Sequence, residues 1–224
     1  MVQPCVDYLH EDQEFERCGQ NLAAVRFPPQ VLQSVKKFRT IPLTGPLTCQ
    51  YVLEFRSVLA ALVAASTAKP IYLIIDSGGG CIEHGLQMID LMNLCPAPII
   101  GIVIGRCCSM AVPVLFACRT KRYGLPSSTY LVHHGHSWHY KTLSPRRPRR
   151  EVYTREFSFE LAKRVDILLK QKLGIDQKAL EKLHEKGDDG KRYFADEARS
   201  LGFIDEIVSD QTQVKNILRA ARFL

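Results

Sequence analysis

The sequence predicts an α/β layer fold with a parallel sheet, on three observations. Short, nearly continuous apolar runs, "IYLIID" (71–76), "APIIGIVIG" (97–105) and "TYLVHH" (129–134), recur about thirty residues apart. Each stops at glycine, serine or histidine, as a strand buried on both faces and ending in a turn would. Apolar residues at helical spacing fill the intervals, so the units are βαβ, whose crossovers are right-handed.

Taken in order, residues 1 to about 35 read as an irregular acidic arm ending at Phe27, Pro28 and Pro29. A basic patch, Lys36, Lys37 and Arg39, precedes "RTIPLTG". Tyr51, Phe55, Val58, Leu59 and Leu62 mark an amphipathic helix over Thr48–Ala65, with Pro46 and Thr48 as start signals. The first strand ends at Ser77, Gly78, Gly79 and Gly80, and Ile82, Leu86, Ile89 and Met92 form the face of the next helix. After the second strand, "SMAVPVLFACR" (109–119) is a short helix, and the third strand follows. In "GHSWHYKTLSPRRPRR" Pro145 and Pro148 oppose regular structure. Phe157, Leu161, Val165 and Leu168 line a long helix of about 151–172 that closes near Gly174. "DQKALEKLHEK" starts another helix, capped by Asp176. "GDDGKRYF" reads as a loop, "ADEARSLG" as a short helix and "FIDEIV" as a final strand. The organisation expected is an arm (1–35), one domain (36–210) and a tail (211–224).

Composition narrows the class. With 224 residues, 46% hydrophobic and 24% charged, the chain is neither disordered nor fibrous. It has no apolar run near the roughly 18 residues of a membrane span, and its first twenty residues are acidic, the wrong sign for a signal peptide. The expectation is a soluble, cytoplasmic protein with no membrane association. Eight cysteines without a C-x-x-C pair suggest neither a zinc site nor a disulfide framework, and most read as reduced core residues. The net charge of +7 comes partly from Lys141, Arg146, Arg147, Arg149 and Arg150. That run lacks an RNA-binding motif, so it reads as a solvated or ion-paired segment and not as a nucleic-acid site.

In parallel sheets chemistry collects at the carboxyl ends of strands. Three such ends are conspicuous: the triple glycine 78–80, whose amides can approach a ligand closely; Ser109 at a helix start; and the pair His133 and His134. Each alone is an ordinary turn, cap or structural histidine. Together they supply an oxyanion turn, a nucleophile and a base, the parts that acyl transfer needs.

The order "LTG", "IYLIIDSGGG", "IGIVIGRCCSMA", "YLVHH", a long helix and "FADEARSLGFIDEI" resembles the proteolytic subunit family of the Clp protease, over roughly residues 38–208. The resemblance implies a ClpP/crotonase-like fold of stacked ββα units with a protruding handle helix. It implies Ser109 as nucleophile, His133 as base, and the amides of Gly79 and Met110 as oxyanion donors. For the third member the loop "EKGDDGKRYF" offers Asp188 and Asp189, and counting back from Glu197 and Ala198 favours Asp188. Departures from the family pattern are Gly78 in place of proline, Cys81 in place of serine, Cys107 and Cys108 in place of small residues, and Ala111 and Pro113 after the nucleophile.

By the same resemblance, the function implied is an endopeptidase that cuts unfolded polypeptides inside stacked heptameric rings, homomeric or heteromeric, fed by an AAA+ unfoldase partner. The chain has no G-x-x-x-x-G-K-[ST] loop, so ATP hydrolysis would belong to that partner, and no cofactor or metal is expected. The competing readings are an inactive ring scaffold and an acyl-CoA enzyme of the same fold, which would use a carboxylate catalyst.

Overall fold

The computed structural model describes residues 37–133, 148–184, 190–210 and 212, with only the backbone given for 148–156 and 158. The acidic arm, His134, most of the basic stretch, Asp188, Asp189 and all of the tail but residue 212 lie outside the described residues.

The expected parallel sheet is present. Its strands are β1 (Thr40–Leu47), β2 (Ile71–Gly80), β3 (Ile99–Cys108), β4 (Lys121–Gly124), β5 (Thr129–Val132), β6 (Lys191–Phe194) and β7 (Glu206–Ile207). The order is β1-β2-β3-β4-β7, and the sheet forks at β3: Ile100–Val103 pair with β4, whereas Arg106–Cys108 pair with β5. Strand β5 then pairs antiparallel with β6. The fork brings the carboxyl ends of β3 and β5 side by side.

The helices are α1 (Cys49–Ala65), α2 (Ile82–Leu94), α3 (Ala111–Phe116), α4 (Pro148–Leu173), α5 (Gln177–Leu183) and α6 (Ala195–Ser200). Thr48 caps α1 by accepting the Tyr51 amide, and Asp176 caps α5 by accepting that of Ala179. Val52, Phe55, Val58, Leu59 and Leu62 of α1 and Met88, Ile89 and Met92 of α2 bury their apolar faces in the core that also takes the side chains of β2 and β3. Among the described residues no helix is long and apolar enough to cross a membrane.

Several boundaries differ from the sequence reading. β1 was hidden by Pro42 and Pro46, yet Ile41, Leu43 and Leu47 are buried; it is an edge strand, where proline removes no needed ladder bond. "KRYF" is strand β6 and not loop, its one deeply buried side chain being Tyr193. "KRYG" forms β4, which the sequence reading omitted, and the last strand shrinks to Glu206–Ile207 because Phe203 and Ile204 are buried in a turn. Pro148 opens α4 instead of preventing it, since a first-turn amide has no intrahelical acceptor to lose. Of the expected α4 face, Val165 and Leu168 pack on the core, but Phe157 is 46% exposed.

Two contacts fix the region around β5. Phe203 meets Phe116, Tyr130 and Tyr193 edge-on, with ring centroids 5.8, 6.1 and 5.4 Å apart, tying α3, β5 and β6 together. Arg122 on β4 donates from its guanidinium to Asp205 Oδ1 at 2.6 Å and to the Gly202 carbonyl at 3.0 Å, while its amide donates to Asp205 Oδ2 at 2.7 Å. Burial pushes the Asp205 carboxyl up, but the Arg122 hydrogen bonds and charge outweigh it and hold the group below the usual aspartate range. A depressed folded-state pKa stabilises the fold above the unfolded value, about 3.9, and that contribution fades as pH falls through the lower folded value. Asp205→Asn is therefore expected to lower stability at neutral pH by about 1 kcal/mol, partial exposure keeping the effect small. Thermal midpoints of the two proteins should converge once the pH drops below the folded-state value.

Candidate active site

Ser109 stands between β3 and α3 with φ at +52°, a left-handed conformation that costs a serine about 1 kcal/mol or more. Its amide donates to the Leu131 carbonyl of β5 at 2.8 Å, and its carbonyl accepts the Val112 amide at 3.0 Å. Strand and helix thus hold the residue from both sides, an exposed-hydroxyl geometry suited to a nucleophile on a sharp strand-to-helix turn. Pro113 is the third residue of α3, where its missing donor belongs to the unpaired first turn.

Cys108 and Leu131 are partners in the parallel register of β3 and β5. Ser109 follows the first and His133 lies two residues beyond the second, so the fork sets them together. His133 Nε2 lies 2.7 Å from Ser109 Oγ. Nδ1 of His133 is shielded from solvent. Alternation accounts for the choice of histidine face: Val132 points into the core at 4% exposure, and His133 turns the other way.

Gly79 presses against the serine. A Cβ there would lie 2.7 Å from Ser109 Cβ and 2.9 Å from the Met110 amide nitrogen, and φ is +97°, so only glycine fits. Its own amide, however, donates to Ser77 Oγ at 3.1 Å. Met110 is buried, its side chain filling the space beside Gly85 on α2. Gly190 is likewise forced: its φ is +68°, and a Cβ would sit 2.5 Å from His133 Cβ.

Thus Ser109, His133, Gly79 and Met110 come together, while Asp188 and Asp189 fall in 185–189, outside the described residues. Gly190, against His133, was not singled out in the sequence; its signal was its place just after the paired aspartates. Beside the Ser109–His133 pair is a cavity of about 30 Å³, lined chiefly by Ile82, Met110, Pro113, Val165 and Leu169, with Asp166 of α4 at its edge.

The thiols flanking the serine do not compete with it. Burial pushes Cys107 well up, Cys108 and Cys118 adding to the effect, and burial pushes Cys108 up against the pull of Arg192 and Arg106. Cys81 differs: burial raises it, but hydrogen bonding with His84 at the start of α2 outweighs that and draws it below the ordinary thiol range. The Ser109 oxygen, in contact with an imidazole, is the nucleophile that the geometry of this strand end offers.

A model of the Clp protease family matches residues 28–211. The chain is 28% identical over 187 residues to the ATP-dependent Clp protease proteolytic subunit 1 of Leifsonia xyli subsp. xyli, covering 83% of this chain and 91% of that protein. It is 28% identical over 175 residues to the ATP-dependent Clp protease proteolytic subunit of Streptococcus pyogenes serotype M1, covering 78% and 86%. Its fold matches a ClpP1 point mutant from Listeria monocytogenes at a TM-score of 0.67 and 19% identity, over 83% of this chain and 99% of that one. Family model, curated relatives and fold agree, and the chain belongs to the Clp protease family, as a distant member.

Proposed function

We propose that the chain is a serine endopeptidase that cleaves polypeptides by acyl transfer from Ser109, and the observation that carries this reading is the 2.7 Å contact between Ser109 Oγ and His133 Nε2. With Nε2 unprotonated, His133 takes the hydroxyl proton as the oxygen attacks a peptide carbonyl, then returns it to the leaving amine. Water next attacks the acyl-enzyme with His133 again as base, releasing the carboxylic acid product and restoring the serine.

The tetrahedral oxygen needs preorganised donors. The Met110 amide, at the turn into α3, supplies one. The Gly79 amide was the second donor expected from the resemblance, but it is engaged by Ser77 on the β1 side of β2. The Cys81 amide also points to β1, donating to the Leu47 carbonyl at 3.2 Å. Successive amides of a strand face opposite neighbours, so the Gly80 amide between them faces the β3 side, where Ser109 stands. The second donor is therefore Gly80, with Gly79 providing the close approach.

An aspartate on His133 Nδ1 would fix the ring's tautomer and orientation. Support for Asp188 or Asp189 in this role is that Gly190 touches His133, and the two aspartates lie one and two Cα steps, about 3.8 Å each, from that contact. Asp188→Asn is expected to lower kcat about 10⁴-fold, against a few-fold for Asp189→Asn. Kinetics of the two variants decide the assignment; the reverse order gives the role to Asp189.

Family membership supports assembly into stacked heptameric rings, substrates that are unfolded polypeptides, and an AAA+ partner that hydrolyses ATP. The experiment for the whole reading compares turnover of a fluorogenic peptide with that of an enoyl-CoA. Peptide cleavage with no thioester turnover is expected; the reverse replaces the peptidase with an acyl-CoA enzyme.

A further inference from the structure

We propose that Ser77 is a positioning residue for the oxyanion site, its hydroxyl locking the glycine turn so that the Gly80 amide faces Ser109. The inference rests on the serine-peptidase reading above.

Ser77 is fully buried at 0% exposure, yet polar. Its Oγ donates to the Gly45 carbonyl at 2.6 Å and accepts the Gly79 amide at 3.1 Å. The hydroxyl thereby joins the edge strand β1 to the turn at the point where the ladder itself is irregular. The β1–β2 register shifts between Thr44 and Pro46, just before Pro46 pairs with Gly79. The Ser77 side chain bridges that irregularity, joining the Gly45 carbonyl to the Gly79 amide.

The need for such a lock follows from the sequence of the turn. Gly78, Gly79 and Gly80 carry no side chain to fix their peptide planes, and φ is +97° and +139° at the last two. Beyond the ladder pairs of Gly79 with Pro46 and of Gly80 with Leu47, two hydrogen bonds hold the segment from the β1 side, one at Gly79 through Ser77 and one at Cys81 through Leu47. They bracket a single peptide unit, the one that presents the Gly80 N–H toward β3. Because a Cβ on Gly79 would come within 2.9 Å of the Met110 nitrogen, the Gly80 and Met110 amides arise on either side of one close contact. Without the Ser77 acceptor the Gly79 amide loses a hydrogen bond and the turn is left to its irregular ladder, so the plane of the next peptide is held less firmly. The ground-state complex depends little on that amide; the charged tetrahedral intermediate depends on it heavily.

The test measures kcat and KM for a fluorogenic peptide, and the inhibition constant of a peptide boronate, which forms a tetrahedral adduct on a catalytic serine. Ser77→Ala, at unchanged ring mass, is expected to lower kcat by about ten- to a hundredfold, with KM within about twofold, and to weaken the boronate by the same factor as kcat. Should Ser77→Ala not assemble, Ser77→Cys, which keeps the volume but weakens both hydrogen bonds, carries the same expectation. Unchanged kcat in an assembled variant, or a loss confined to KM, overturns the role of Ser77 while leaving the peptidase intact. Absence of Ser109-dependent turnover in the parent protein removes the peptidase reading and this inference with it.

Discussion

Replacing Ser109 by alanine is expected to cut peptide hydrolysis by about a thousandfold or more while the protein keeps its fold and oligomeric mass. The change removes one oxygen from a residue whose backbone is held by Leu131 and Val112, neither of which needs the side chain. A thousandfold loss corresponds to about 4 kcal/mol of transition-state stabilisation, the scale on which nucleophile deletions in such sites act. The left-handed turn at +52° is strained by the Cβ, which alanine keeps, so the backbone cost is unchanged. The measurement is steady-state turnover of a fluorogenic peptide, with light scattering to confirm the assembly. Turnover within tenfold of the parent protein would remove Ser109 from the chemistry.

His133→Ala is expected to have an effect of the same size, and no larger when combined with Ser109→Ala, because nucleophile and base act as one unit. Its neighbour provides the control. Alternate residues of an extended chain face opposite sides, so with His133 on Ser109 the side chain of His134 is expected to face away, and His134→Ala should cost a few-fold at most. Turnover of the two single variants and of the Ser109/His133 double variant checks this. Additive losses, or a larger loss at His134, would mean that the 2.7 Å contact is not the catalytic one.

How far the sequence could be read depended on where apolar pattern and hydrogen bonding carry the same information. Strands β2 and β3 are largely buried, and β5 alternates buried Tyr130 and Val132 with half-buried Thr129 and Leu131; their continuous apolar runs were visible at once. β1 lies at the edge with prolines at 42 and 46, and β6 buries essentially Tyr193 alone, so neither displays a strand pattern. The first turn of α4 was misread because proline was weighed as a breaker at a position where it is tolerated.

The same division runs through the site. Ser109 and His133 were legible as candidates because a nucleophile and a base are side-chain identities, set in an order that few folds share. The oxyanion donor is a main-chain amide, and three consecutive glycines give no sign of which one faces the serine. That depends on β1: the Ser77 and Leu47 contacts mark the Gly79 and Cys81 amides as turned toward the edge strand, which is the ground on which Gly80 is proposed as the donor. Without that strand the resemblance points to Gly79, and with it the reading proposed above takes Gly80. For the aspartate, the sequence offers Asp188 and Asp189, which lie outside the described residues.

The most direct test of the central claim, that Ser109 is a nucleophile activated by His133, is covalent labelling with an alkyl fluorophosphonate followed by peptide mass spectrometry. The Ser109 oxygen displaces fluoride at phosphorus, so one adduct per chain is expected, on the peptide that contains Ser109. It should be absent from Ser109→Ala and slowed at least about a hundredfold in His133→Ala. No adduct on the parent protein, or an adduct that persists at the same rate without His133, would contradict the account.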